Sequence, residues 1–389
     1  MLSKAKLYSA FVIVTIVLLC LFTYANMLSL GFEESTGSFS SIVRLAVVAM
    51  AVLTMVLDIN EMKTRFTILW FFWAVWLLID FFLLGLRGEG IANIFNVLFA
   101  PMTFLLFYHS GIQSPKTETI AFWGFVVLFA IAFYMNISNL EYRTIDIGEE
   151  TGISNLVYWC LCVVPFLFLT EKRWLQLVFL GLSIVVVLLT SKRSASIAML
   201  LIVLVYLLYS TKESKHRIRN LFLLVVVGVL VYYIINRYFI GSFMGLTERF
   251  SNISDDEGSG RIPLYRDVFA VLSQNSLVDW LVGRGYGSII ITKHTNAHND
   301  ALHLLFEYGF VGLLFYILLL LFVIKRTLRL RKDNSSFYMG YVASLIIVVV
   351  LGAVSNLVVF YSYFAFICAY WGIVEARMDN TNRIKLLFK

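Results

Sequence analysis

Charge is what this chain has least of. Asp, Glu, Lys and Arg make up 14 % of its 389 residues, against about 25 % in an ordinary soluble domain. Hydrophobic residues make up 60 %. A surface so poor in charge cannot be presented to water, so the bilayer is the solvent and a separate soluble domain is not expected. Proline is also scarce, with four in the whole chain, and there is no low-complexity tract or short-period repeat. The four cysteines (Cys20, Cys160, Cys162 and Cys368) all fall in apolar runs. That excludes a disulfide framework and a paired-cysteine redox or zinc motif, and leaves small buried apolar side chains. The net charge is +7, which on a soluble protein would suggest nucleic acid. Here most Lys and Arg sit in short connections between apolar runs, so the charge is a topological signal and no nucleic-acid partner is expected.

The apolar runs are each close to the roughly 20 residues that span a bilayer as a helix. They lie near 7–28, 41–58, 66–85, 91–108, 119–136, 154–170, 174–190, 194–210, 220–239, 301–324, 337–357 and 359–375. The first, following Lys4 and Lys6, resembles a signal peptide. It lacks a convincing small-x-small cleavage site and many spans follow, so it reads as an uncleaved first helix. The last two could form one broken element, because Gly352, Ser355 and Asn356 interrupt the run. Short basic connections such as Lys212 to Arg219 and Lys325 to Lys332 fall on one side, and the acidic stretch Glu141 to Glu150 falls on the other. By the positive-inside rule both termini are cytoplasmic. The expected fold class is an all-α integral membrane protein with about 12 transmembrane helices, N-in and C-in. Residues 1–239 hold spans one to nine. Residues 240–300 form a large extracytoplasmic loop, and 301–389 hold the last three spans and a cytoplasmic tail.

A polar loop of some sixty residues between helices is usually functional. Ser259-Gly260 precedes Arg261-Ile-Pro263, and Pro suits a first helical turn. Ile262, Tyr265, Val268, Phe269 and Leu272 then recur at helical spacing, as in a helix lying at the membrane interface or against the bundle. Gly283-Arg-Gly285-Tyr-Gly287 is too short, and too far from any strand, to be a dinucleotide fingerprint. It predicts a tight irregular turn.

Three polar sets gather on the extracytoplasmic side. Ser191-Lys192-Arg193-Ser194 joins two spans, where its charges snorkel to headgroups or Arg193 faces an internal cavity and binds an anion. Arg261 and Arg266 carry planar donor forks suited to phosphate oxygens. Five residues on a helix separate them by roughly 140°, so one is expected to be a solvated or structural charge, and Arg261, beside Gly258 and Gly260, is the better site residue. The third set is His294-Thr-Asn-Ala-His298-Asn299-Asp300. A histidine there either serves as an interfacial hydrogen-bonding group or takes a proton from a hydroxyl. The four-residue spacing of His294 and His298 would suit a metal, but no further ligand is evident and no metal is expected. Asp300 could orient His298. Asp80 and Glu307 lie within or near apolar spans, as functional carboxylates or as partners of Arg44 or Arg193. Arginines at a membrane surface with a base beside them suit a lipid-linked phosphate substrate: Arg stabilises the leaving diphosphate and His deprotonates the attacking hydroxyl.

The segments Gly258-Ser-Gly-Arg261-Ile-Pro-Leu-Tyr265-Arg266, Trp280-Leu-Val-Gly283-Arg-Gly285-Tyr-Gly287, Ala297-His298-Asn299-Asp300-Ala-Leu302 and Glu307-Tyr-Gly309-Phe-Val-Gly312, with Leu189-Thr-Ser-Lys192-Arg193-Ser194 before them, resemble the O-antigen ligase/polymerase superfamily. The resemblance covers about residues 185–315 in motif detail. It implies an inverting, metal-independent glycosyltransferase without cofactor in the bacterial cytoplasmic (inner) membrane. The donor would be an undecaprenyl-diphosphate-linked oligosaccharide used at the periplasmic face. Carried over by position, Arg193, Arg261 and Arg266 would bind the diphosphate and His298 would be the base, with Tyr265, His294, Asn299 and Glu307 as possible support. Family members often carry a second His next to the base; here Asn296 and Ala297 precede it and His294 lies further back. The resemblance favours a polymerase that lengthens O-antigen or capsule chains, with a ligase acting on lipid A–core as the alternative. A chain-length regulator and a flippase are partners implied by the family alone. A twelve-span transporter is the reading from another class, although no matching halves are visible.

Overall fold

A computed structural model of the chain describes residues 4–28, 38–58, 65–84, 93–146, 156–190, 192–213, 261–293, 296–333 and 335–387, with isolated positions at 229, 233 and 237. Among the described residues every regular element is a helix. Lipid offers no partner to an unsatisfied N–H or C=O, so apolar runs close their backbone bonds within themselves. The first eight helices are α1 (Lys4–Leu28), α2 (Ser38–Leu57), α3 (Arg65–Leu83), α4 (Asn93–Gln113), α5 (Thr117–Asp146), α6 (Val157–Val163, continued as a 3₁₀ helix Val164–Leu169), α7 (Arg173–Leu189) and α8 (Arg193–Glu213). After the region outside the described residues come α9 (Arg261–Leu272), α10 (Leu277–Val282), α11 (Ser288–Lys293), α12 (Asp300–Lys332), α13 (Tyr338–Val354) and α14 (Tyr361–Leu387).

Six described helices are long and apolar enough to cross a bilayer, and four shorter apolar ones accompany them. The protein is an all-α membrane protein. The span expected at 220–239 and the loop segment 240–260 lie outside the described residues, the isolated positions aside. Exposed apolar side chains form stripes on the bundle surface, such as Ile13, Val17 and Leu21 on α1 and Phe310, Leu314, Ile317 and Leu321 on α12. The spacing of three or four residues puts each set on one helical face, toward lipid. α4 is instead buried all round from Val97 to Ser110 and forms the axis of the bundle. It packs on α14 through small residues: a Cβ on Gly372 would lie 2.5 Å from the Phe104 carbonyl.

Two departures from plain spans shape one end of the bundle. The interruption expected near Gly352–Asn356 separates α13 from α14. Fully buried Asp300, at the start of α12, accepts from Leu357 N at 3.0 Å and Val358 N at 2.9 Å within it. The second departure is a kink in α12 at Gly309 (φ 62°, ψ −161°). It divides a helix too long for one crossing into a short segment, Asp300 to Tyr308, and a long one.

Candidate active site

The described part of the loop builds a small apolar core of its own. Val268 and Leu272 of α9, Ile289 of α11, Ala297, and Leu302 and Phe306 of α12 are buried together. The helical periodicity read from Ile262 to Leu272 is therefore only partly a buried face, because Ile262 and Phe269 remain exposed. α10 starts with a reciprocal cap between Ser276 and Asp279. The glycine turn follows. The kink at Gly309 deprives the carbonyls of Phe306 and Glu307 of their helical donors. Arg284 N (3.1 Å) and Gly285 N (2.9 Å) replace them. The approach leaves no room for side chains: a Cβ on Gly283 would lie 2.1 Å from the Glu307 carbonyl oxygen, and one on Gly309 would lie 2.5 Å from Leu281 O. Both residues also have positive φ. The glycines of the two motifs are thus halves of one joint that fixes the loop on the short segment of α12.

His298 stands just before that segment. It is the one non-glycine residue with positive φ (51°) among the described residues, a conformation kept only where neighbours impose it. They do so on both sides. Ala297 is fully buried, and the Asn299 side chain caps α12, accepting from Leu302 N at 2.9 Å and donating to Ala353 O at 3.0 Å. The Tyr265 hydroxyl donates to the His298 carbonyl at 3.2 Å. Burial first, then the charges of Arg261, Lys192 and His303, hold the His298 imidazole down to about 4. It is neutral at physiological pH, the form able to accept a proton. Burial pushes the Tyr265 hydroxyl up, so it stays a donor.

Cationic residues gather from two distant parts of the chain. Arg261 is the first residue of α9, and its charge acts on His298, Tyr158 and Tyr265. Lys192 acts on His298, and its ammonium lies 5.6 Å from the centre of the Tyr158 ring. Arg193 is nearly buried at the first turn of α8, where the helix dipole also favours an anion. Ser194 and Ser355 hold the Tyr158 hydroxyl at 2.7 and 3.0 Å, tying the starts of α6 and α8 to the α13–α14 break. The arrangement sets a neutral, positioned base beside cationic groups fit to hold a phosphorylated ligand.

Arg266 is exposed on α9 and is not among the charges acting on His298. His294 lies outside the described residues. Asp300 does not orient His298; its carboxylate is engaged by the backbone of the α13–α14 break. Glu307 Oε1 lies 3.2 Å from His303 Nε2, with both side chains buried. Arg44 donates to Asn96 and Ser362. Tyr158, Ser355 and the role of Lys192 escaped the sequence reading. Only Lys192 carried a signal, its place beside Arg193; the other two reach the site through packing of distant helices.

No curated protein matches the chain. Residues 177–317 match the family model described as O-antigen ligase. The matched stretch runs from α7 into the long segment of α12 and contains Lys192, Arg193, Arg261, Tyr265, His298 and the Gly283–Gly309 joint. Residues 177–317 are therefore a domain of the O-antigen ligase/polymerase superfamily.

Proposed function

We propose that the protein is a polysaccharide polymerase: an inverting glycosyltransferase that moves an undecaprenyl-diphosphate-linked glycan onto the hydroxyl of another lipid-linked repeat unit. It would work at the periplasmic face of the inner membrane, in a bundle of about twelve spans with both termini cytoplasmic. The observation that carries the reading is His298, held at positive φ before α12 with the Tyr265 hydroxyl on its carbonyl, beside the charges of Arg261 and Lys192. The acceptor hydroxyl gives its proton to His298 and its oxygen bonds to the anomeric carbon. The bond from that carbon to the diphosphate breaks, and the electron pair leaves with the diphosphate. Arg193 and Arg261 offset the charge that develops there, in a site partly closed to water. Inversion follows from a single displacement. A chain-length regulator and a flippase are the partners this reading implies.

A ligase that delivers the glycan to lipid A–core is the second reading, favoured by the description of the matching family model. One experiment tests the enzyme reading and separates the two. His298→Ala is introduced into a strain lacking the gene, membrane expression is verified, and surface glycan is resolved on a gel. Loss of the ladder at normal protein level supports the transferase. Core bearing one repeat unit then marks a polymerase, and bare core with lipid-linked polymer accumulating marks a ligase. A normal ladder removes His298 as the base.

A further inference from the structure

A second set of titratable groups, which the transfer step does not use, lies on the short segment of α12 and on α3. His303 and Glu307 sit one turn apart on the short segment of α12, His303 Nε2 3.2 Å from Glu307 Oε1. Their side chains are 5 % and 2 % exposed. Asp80 on α3 is 1 % exposed, and among the described residues neither carboxylate oxygen has a hydrogen-bond partner; the same holds for His303 Nδ1. The glycine turn brings the two helices together. Gly285 N donates to the Glu307 carbonyl, while a Cβ on Gly285 would lie 2.8 Å from the carbonyl carbon of Leu84, whose own N–H bonds Asp80 O. Phe81, next to Asp80, packs on Tyr286 of the same turn. Glu307 lies within electrostatic range of Asp80, and His303 within range of both His298 and Asp300.

Two carboxyl groups and one imidazole buried together are costly if both carboxyls are ionised and one has no donor. Sharing a proton removes most of that cost. The charges of Arg261 from α9 and Lys192 from the start of α8 act on His298, as does His303; Glu307 from α12 acts on Asp80 from α3; Asp300, with the Tyr316 hydroxyl near it, is occupied by backbone N–H groups. The cations disfavour a proton on His298, so the imidazolium gives it up readily.

We propose that His303, Glu307 and Asp80 form a buried proton-accepting site that receives the proton His298 takes from the acceptor hydroxyl. The inference rests on the transferase reading above. The proton passes from the His298 imidazolium to the His303–Glu307 pair, His298 is again neutral, and the proton leaves to water once product has gone. No bond to carbon or phosphorus changes in this step. His303, Glu307 and Asp80 are positioning and proton-handling groups that need not touch substrate.

The test uses the full chain in proteoliposomes with a lipid-diphosphate-linked repeat unit. General acid–base steps contribute about 10²–10⁴-fold, so Glu307→Gln is expected to lower kcat at least about tenfold. KM for the donor should stay as in wild type, and added imidazole, a small proton carrier, should restore turnover. Wild-type kcat in Glu307→Gln, or a loss that imidazole leaves untouched, overturns the proposal. A second measurement needs neither turnover nor a well-behaved Glu307 variant. Isotope-edited infrared spectra of the resting wild type should show a protonated carboxyl stretch that Asp80→Asn removes or shifts; its absence overturns the shared proton. If wild type fails to transfer sugar while this band is present, the transferase reading falls and the carboxyl pair stands.

Discussion

The two ends of this bundle treat buried charge differently. At the end carrying the termini, the carboxylates of Asp58, Glu375 and Asp379 are matched with donors. Glu375 accepts from Arg326 Nε and Nη2 and from the Tyr341 hydroxyl at 2.7 Å. Asp58 accepts from Lys4, Tyr8 and Gln113, and Asp379 from Tyr108 at 2.6 Å. At the other end, cations from two parts of the chain converge on a histidine, while Asp80 is buried with no hydrogen bond to its carboxylate among the described residues. Matched charges in a low-dielectric interior fasten helices. A gathering of one sign beside a neutral base, with carboxyls set apart from it, holds free energy that a ligand or a proton can release. The first end is built to stay as it is, the second to receive something.

Removing the base should have the largest effect on turnover. His298→Ala is expected to lower transfer by about 10²–10⁴-fold, measured in proteoliposomes, without changing thermal unfolding in detergent. The arginines come next. Arg261→Lys keeps the charge and loses the planar fork, so about a hundredfold loss of kcat is expected, and Arg193→Lys should behave alike. Full activity in both variants would remove the diphosphate role. Arg266→Ala sharpens the contrast along one helix. Exposed and absent from the charges acting on His298, it should lower activity far less than Arg261→Ala measured beside it.

The opposite end should answer in stability. Glu375→Gln leaves Arg326 without its ion partner and is expected to cost about 3–5 kcal/mol, read as a lower unfolding temperature in detergent. Transfer per folded molecule should be unchanged. A variant that unfolds normally but transfers slowly would break the division between the two ends.

How much of this division could be read from the sequence depended on range. The apolar runs between 4 and 213 lie close to their helices, because a run near 20 residues is both the hydropathy signal and the length that lipid requires. The glycines at 283, 285 and 309 announced irregular backbone, but not that the two motifs lock into each other; that needs the carbonyls of Phe306 and Glu307, which a linear reading cannot see losing their helical donors. The separation of Arg261 from Arg266 followed from helical geometry. Tyr158, Ser194 and Ser355 meet across three elements at sequence separations of 36 and 197, so their association is a product of tertiary packing. Asp300 shows the reverse: it looked like an orienting partner because it is near His298 in sequence, and its carboxylate turns to backbone 57 residues away.

The smallest effect expected is a displacement of pH limbs. His298 must be neutral to act, and its imidazole is held to about 4 against the usual 6.5 by burial, Arg261, Lys192 and His303. Because the protonated form is disfavoured in the free protein, kcat/KM should persist well below pH 6.5 and fall only as pH approaches 4. A bound diphosphate brings negative charge to the cations that depress the imidazole, so the proton is held more tightly in the complex. The acidic limb of kcat should therefore lie above that of kcat/KM. Neutralising the same cations by mutation should move the free-protein limb the same way: Lys192→Gln is expected to raise the limb of kcat/KM toward that of kcat. Coincident limbs in wild type would mean that the ligand's charge does not reach the histidine, and the cations would then have to be assigned to holding the loop.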